Sequence, residues 1–200
     1  MIIKKYESRE EWLEARTGKI TGTRLKDILV KRGTGKKIGF YELIAERLAL
    51  PPDGENPMDR GSRLELEAME RFINESGKNV DTSLVIWMRD DNESIAISPD
   101  GFIGTKEAVE VKCLSSARHL EAYLTQEVPS EYMEQALQYF IVNDELEILH
   151  FVFYDPRLSV KDFFEITITR ESIKDKVVEY LEYEKNIIQE VNAIVNSLSL

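Results

Sequence analysis

The chain has few of the residues on which soft-metal, redox and covalent chemistry depend. Its single cysteine, Cys113, excludes an internal disulfide and any cluster held by four cysteines of the chain. Two histidines, His119 and His150, are too few for a histidine-rich metal site. No apolar run approaches the roughly 18 residues needed to span a bilayer. The start Met1-Ile2-Ile3-Lys4-Lys5 is too short and too quickly charged to read as a signal peptide. A soluble, cytoplasmic protein with no membrane association is therefore expected. Internal repeats, heptad runs and low-complexity segments are also missing, which excludes solenoid and coiled-coil architectures.

What is present suffices for one sizeable core. Two hundred residues with 42% hydrophobic content support a single domain over residues 1–200. The net charge of −11 is the wrong sign for a protein that handles nucleic acid, but it is unevenly spread. Residues 1–50 carry net +5 and residues 51–200 net −16. Phosphate binding needs local positive charge, because the field is screened over about 8 Å at physiological salt. A lysine-rich loop at residues 31–39 explains the asymmetry equally well.

The stretch with the most chemistry is Ser98-Pro99-Asp100-Gly101, followed by Glu110-Val111-Lys112. Pro presets φ, Gly permits a positive φ, and Asp100 is left at the tip of a turn. Val109, Val111 and Cys113 alternate with Glu110 and Lys112, so on a strand the carboxylate and the amine share one face and the apolar three face a core. A hairpin of residues 102–104 with 108–113, turning at Thr105-Lys106, would bring Asp100 back beside Glu110. Two carboxylates and a backbone carbonyl make an oxygen-only site suited to Mg²⁺ or Mn²⁺, with Lys112 holding the attacking water. The same residues also fit a solvated strand face beside an ordinary turn.

Ser8-Arg9-Glu10-Glu11 is a capping box that opens a helix to about residue 17. In Lys19-Ile20-Thr21-Gly22-Thr23-Arg24 a threonine again precedes a helical pattern, and its amides with Arg16 could receive a phosphate or simply be capped. Helices are expected over residues 40–50 and 59–76, the second stopped by Gly77. On it Glu65 follows Gly61 by one turn and is either exposed or turned inward toward a close neighbour. Residues 80–88 and 94–97 read as strands. Ser116 reads as the cap of a helix to about residue 125, with His119 on its surface, and a further helix runs from Pro129 through Val142. Residues 146–154 and 160–169 carry the strongest strand signals, and a last helix from about Ser172 has Ile173, Val177, Leu181, Ile188, Val191 and Val195 at helical spacing. That stripe suits packing on the sheet or on a partner subunit. The element order implies an α/β fold with a central mixed sheet flanked by helices.

Taken together, Arg16-x-Gly18-x-Ile20-Thr21-x-Thr23, Gly61-x-x-x-Glu65, Ser98-Pro99-Asp100-Gly101, Glu110-x-Lys112 and Tyr132-Met133-x-Gln135 with Tyr139 resemble the phage-type alkaline exonucleases. These form the lambda exonuclease or YqaJ-like viral recombinase group of the PD-(D/E)XK, restriction-endonuclease-like nucleases. The resemblance implies that Asp100, Glu110 and the Val111 carbonyl bind Mg²⁺ or Mn²⁺, two ions per site, with Glu65 supporting the second. It implies that Lys112 orients the water, that Arg16 and Thr23 receive a DNA 5′-phosphate, and that Ser98, Gln135 and Tyr139 contact substrate or the catalytic groups. Thr23 stands where the group often has serine, and Gly22 where it often has alanine, which keeps the hydroxyl but alters the pocket's shape. The group's members are homotrimers that digest one strand of duplex DNA from its 5′ end. They release mononucleotides and leave 3′ overhangs for a single-strand annealing protein. The rival readings are an endonuclease of the same superfamily, an iron-sulfur nuclease, which the lone Cys113 opposes, and a non-catalytic acidic DNA mimic, which has no need of Asp100, Glu110 and Lys112 together.

Overall fold

A computed structural model describes residues 8–14, 36–48 and 57–198. The first helix, α1 (Arg9–Glu14), starts where expected, with the Ser8 hydroxyl accepting the Glu11 N–H at 3.1 Å. Helix α2 (Ile38–Arg47) begins earlier than its pattern suggested. Gly39 and Tyr41 are buried, and Ala45 joins a small cluster with Leu120 and Leu158. Helix α3 (Pro57–Ser76) ends at Gly77, whose φ of +66° is open to glycine at little cost and whose N–H caps the Ile73 carbonyl at 2.9 Å.

Strands β1 (Trp87–Arg89) and β2 (Asn92–Ile97) form a separate antiparallel pair turning at Asp90-Asp91. The strand expected over residues 80–88 is therefore mostly absent. It is reduced to one bridge, Asp81 with Phe102, and to the start of β1. Its β-branched residues lack a sheet neighbour, and Leu84 and Ile86 lie exposed.

The main sheet has the order β3-β4-β5-β6. Strands β3 (Gly101–Ile103) and β4 (Glu107–Lys112) form the expected hairpin, with Gly101 opposite Val109. Strand β5 (Ile148–Tyr154) runs parallel to β4, and β6 (Phe163–Thr169) antiparallel to β5, so the sheet is mixed. The parallel step requires a crossover, supplied by α4 (Ser116–Thr125), a 3₁₀ turn (Ser130–Tyr132) and α5 (Met133–Val142). Ser115 rather than Ser116 caps α4, because the Ser116 hydroxyl is drawn inward to Asp155 at 2.6 Å. The last helix, α6 (Arg170–Leu198), follows β6 directly.

Two apolar layers sandwich the sheet. Leu64, Ala68, Met69 and Phe72 of α3 cover Val109, Val111, Val152 and Tyr154 on one face. On the other, Ala108, Leu149, Phe151 and Phe153 meet Ala136, Leu137, Phe140 and Ile141 of α5, with Ile173, Val177, Leu181 and Ile188 of α6 packed against them. The strand period of two thus delivers opposite faces of β4 to different helices. His119 is a correction to the surface reading: it is fully buried, with Nε2 against the Lys161 carbonyl at 2.8 Å and its ring edge-on to Phe164.

Candidate active site

The chemistry-bearing face of β4 is the one turned toward α5. Glu110 is only 3% exposed, far from the solvated strand face that its sequence also allowed. Its burial is offset by hydrogen bonds to both carboxylate oxygens. Oε1 accepts from Lys112 Nζ and from Gln135 Nε2, each at 2.6 Å, and Oε2 accepts from the Tyr139 hydroxyl. Gln135 and Tyr139 lie four residues apart on α5 and so project from one helix face. That spacing was the available signal for their shared partner.

Of the two contacts expected of Tyr139, with substrate or with the catalytic groups, the structure shows one to Glu110. The residue is fully buried, its ring edge-on to Trp87, and its hydroxyl reaches Glu110. Burial and the Glu110 charge push the phenol well above its ordinary range, so it remains a proton donor. It positions a carboxylate from within the core. Tyr132 is a residue whose role the sequence did not reveal: its ring centroid lies 4.8 Å from Lys112 Nζ, and the ring steadies the amine by a cation–π contact.

Asp100 is brought beside this pair by the β3–β4 hairpin. Its Oδ2 accepts the Val111 N–H at 2.7 Å, which ties the Pro99-Asp100 turn to the C-terminal end of β4. Gly101 serves this turn by lacking a side chain, not by a positive φ: a Cβ there would meet Val80 at 2.7 Å and Met69 at 3.0 Å. The helix–turn approach that seats Asp100 therefore requires glycine. Burial and the carboxylates of Glu110 and Glu65 push the Asp100 carboxyl up to about 7, against the opposing pull of the Val111 N–H and the Lys112 ammonium.

Glu65 and Ser98 line a groove of about 610 Å³ that also contains Asp100, with Leu66, Met69 and Leu84 as its apolar wall. Glu65 is half-buried and stands across this groove on α3. Among the described residues no group of three His, Cys, Asp or Glu side chains is gathered tightly enough to hold a metal ion by itself. The structure thus joins Asp100 to Glu110 through the strand and leaves Glu65 as a neighbour. Arg16 and Thr23 lie outside the described residues. The donors present, two carboxylates and the Val111 carbonyl, are all oxygen, and the neighbouring carboxylates that add to burial in raising the Asp100 carboxyl make a potential of the sign a hard divalent cation relieves. The residues fit such a cation.

No curated protein matches the chain. Two crystal structures of an alkaline exonuclease, LHK-Exo, are similar. The complex with dAMP is 29% identical with a TM-score of 0.63, covering 94% of this chain and 95% of that one. The second, described as from Laribacter hongkongensis, is 28% identical with a TM-score of 0.57, covering 94% and 99%. The domain profile called YqaJ-like viral recombinase matches residues 11–145, which include every described residue of the Asp100–Glu110–Lys112 site, and the chain belongs to that family.

Proposed function

We propose that the protein is a metal-dependent deoxyribonuclease that digests duplex DNA 5′ to 3′ from phosphorylated ends, releasing 5′-mononucleotides and leaving 3′ overhangs for strand-annealing recombination. The observation that carries this reading is the convergence of Asp100, Glu110 and Lys112 around the buried end of β4. Likeness to an alkaline exonuclease solved with dAMP supports the substrate class.

In this reading Asp100, Glu110 and the Val111 carbonyl hold Mg²⁺ or Mn²⁺, and Glu65 holds waters or a second ion from across the groove. When bound, the cation supplies Lewis-acid activation of water and neutralises charge on the scissile phosphate. Gln135 and Tyr139 fix the Glu110 carboxylate in one orientation, which removes the need to reorganise it during reaction. Lys112, steadied by Tyr132, orients the attacking water and offsets charge that grows on the phosphoryl oxygens. Ser98, exposed at the groove mouth, contacts the incoming strand. Arg16 and Thr23 receive the terminal 5′-phosphate. A homotrimeric ring around the duplex, partnered by a single-strand annealing protein, would reconcile DNA retention with the net charge of −11. Among the described residues no helix is long and apolar enough to cross a membrane.

The test is incubation with 5′-phosphorylated linear duplex and Mg²⁺, with and without chelator, beside a covalently closed circle. Mononucleotide release from the linear substrate alone, abolished by chelator, is expected. Nicking or linearisation of the circle would favour an endonuclease, and no hydrolysis of either would favour the DNA-mimic reading.

A further inference from the structure

Among the described residues, the outer edge of the main sheet is a strand without a neighbour. There strand β6 pairs with β5 alone, and two bonds at the ends of that ladder fix which of its backbone groups are used. The Asp155 N–H donates to the Asp162 carbonyl at 2.8 Å and the Arg170 N–H to the Glu147 carbonyl at 3.0 Å. Since bonded and non-bonded pairs alternate in an antiparallel ladder, residues 164, 166 and 168 point their backbone groups at β5. Phe163, Glu165, Thr167 and Thr169 point theirs away from the sheet. Of these groups, the Thr169 carbonyl is taken by the Ser172 hydroxyl at 2.7 Å. The remaining outward N–H and C=O groups have no partner among the described residues.

Such an edge is usually blunted by proline, lysine or a bulge. Phe163-Phe164-Glu165-Ile166-Thr167-Ile168-Thr169 has none of these, and its register with β5 is unbroken. Its one charged side chain, Glu165, is occupied by His150 Nδ1 at 2.6 Å. Beside residues 166–168 lies a groove of about 530 Å³, with Val128, Pro129 and Met133 on its apolar floor. Its rim is acidic. Arg118 is already bridged to Glu121 at 2.7 Å and to Glu131 at 3.7 Å, and Glu127 adds an exposed carboxylate. A second copy of the same edge would bring these carboxylates against their own kind, which disfavours self-pairing.

We propose that β6 and this groove are a docking site for an extended, basic segment of another protein, which adds as a strand along Phe163–Thr169, sets apolar side chains into the groove and places lysine or arginine against Glu127 and its neighbours. The site lies on the sheet edge opposite β3, and occupying it leaves Asp100 and Glu110 untouched.

The probe is a fluorescein-labelled peptide alternating valine and lysine, with two controls: the same peptide N-methylated at alternate amides, and one with aspartate for lysine. Binding to the full chain is read by anisotropy at low salt, and amide exchange is followed across residues 163–169. The lysine peptide is expected to bind and to slow exchange of the Thr167 amide, with both controls about tenfold weaker or worse. Thr167→Pro removes an outward N–H at an edge position where proline is tolerated, and is expected to abolish binding at an unchanged thermal midpoint. Glu127→Lys, on the surface, gives an independent reading should the proline variant fail to fold, with a similar loss expected. Equal binding of the methylated peptide, or no binding of the lysine peptide, overturns the proposal. So does Thr167 protection that rises with protein concentration in the free chain and vanishes in Thr167→Pro, because the occupant would then be a second copy.

Discussion

Strand β4 carries two glutamates three residues apart, the half-buried Glu107 and the buried Glu110, and the two have opposite surroundings. Glu107 sits in a balanced cluster: it accepts from Lys78 Nζ at 2.6 Å and lies 2.7 Å from His150 Nε2, while His150 Nδ1 meets Glu165 at 2.6 Å. Hydrogen bonds from Lys78 hold the Glu107 carboxyl below its usual value, opposed by burial and aided by His150. Glu110 instead shares its end of the strand with Asp100 and faces one amine, Lys112. There the neighbouring carboxyl is pushed up. Similar residues on one strand thus make a neutralised cluster that joins α3's end to the sheet, and an electrically incomplete one that fits a cation. The difference lies in counter-charge: alternation turns Glu107 toward α3 and Lys78, and Glu110 toward the uncharged Gln135 and Tyr139 of α5.

The comparison breaks most sharply in catalysis. Asp100→Ala or Lys112→Ala is expected to lower digestion of linear duplex by about a thousandfold with unchanged circular dichroism, whereas Glu107→Gln should leave turnover near wild type. Full activity in either of the first two purified variants would sink the site. Next in size is the response to metal. Mg²⁺ at a hundred times its dissociation constant should stabilise the wild type by about 2.7 kcal/mol, seen as a raised thermal midpoint. That gain should persist in Glu107→Gln and disappear in Asp100→Asn; an equal gain in all three would place the ion elsewhere. Tyr139→Phe leaves one Glu110 oxygen without its buried donor and should cost about 1–3 kcal/mol in urea unfolding. A cost near zero would show that Glu110 is held without it.

The smallest expected effect is in pH. Burial lowers the His150 pKa, but its bonds to Glu165 and Glu107 outweigh this and hold it above the ordinary 6.5. The folded state therefore favours the imidazolium. The stabilisation is complete below pH 6.5 and is lost as pH rises through the raised value. Thermal midpoints measured from pH 6 to 9 should fall more in the wild type than in His150→Asn, and parallel curves would remove His150 from the balance.

Much of this site is legible in the sequence. Val109, Val111 and Cys113 declared the α3-facing side of β4, and Ser8 with Glu11 declared the first cap. What was not legible depended on neighbours distant in sequence. Residues 80–88 have the side chains of a strand but meet no partner along most of their length. His119 has no local feature marking it as buried, because Phe164 and Lys161, more than forty residues on, enclose it. Gly101 reads as a turn residue until Val80 and Met69 are seen pressed against it.

The sequence by itself determined the element order, the shared face of Glu110 and Lys112, and the turn that presents Asp100, because strand period and turn chemistry are local properties of the backbone. Only the tertiary structure decided that Glu110 is buried beneath Tyr139 and Gln135, that Glu65 stands across a groove, that Glu107 is neutralised and that β6, among the described residues, is left open at the edge. Each of these depends on which element crosses which. Charge balance and backbone pairing are settled between elements, at distances that sequence spacing does not encode.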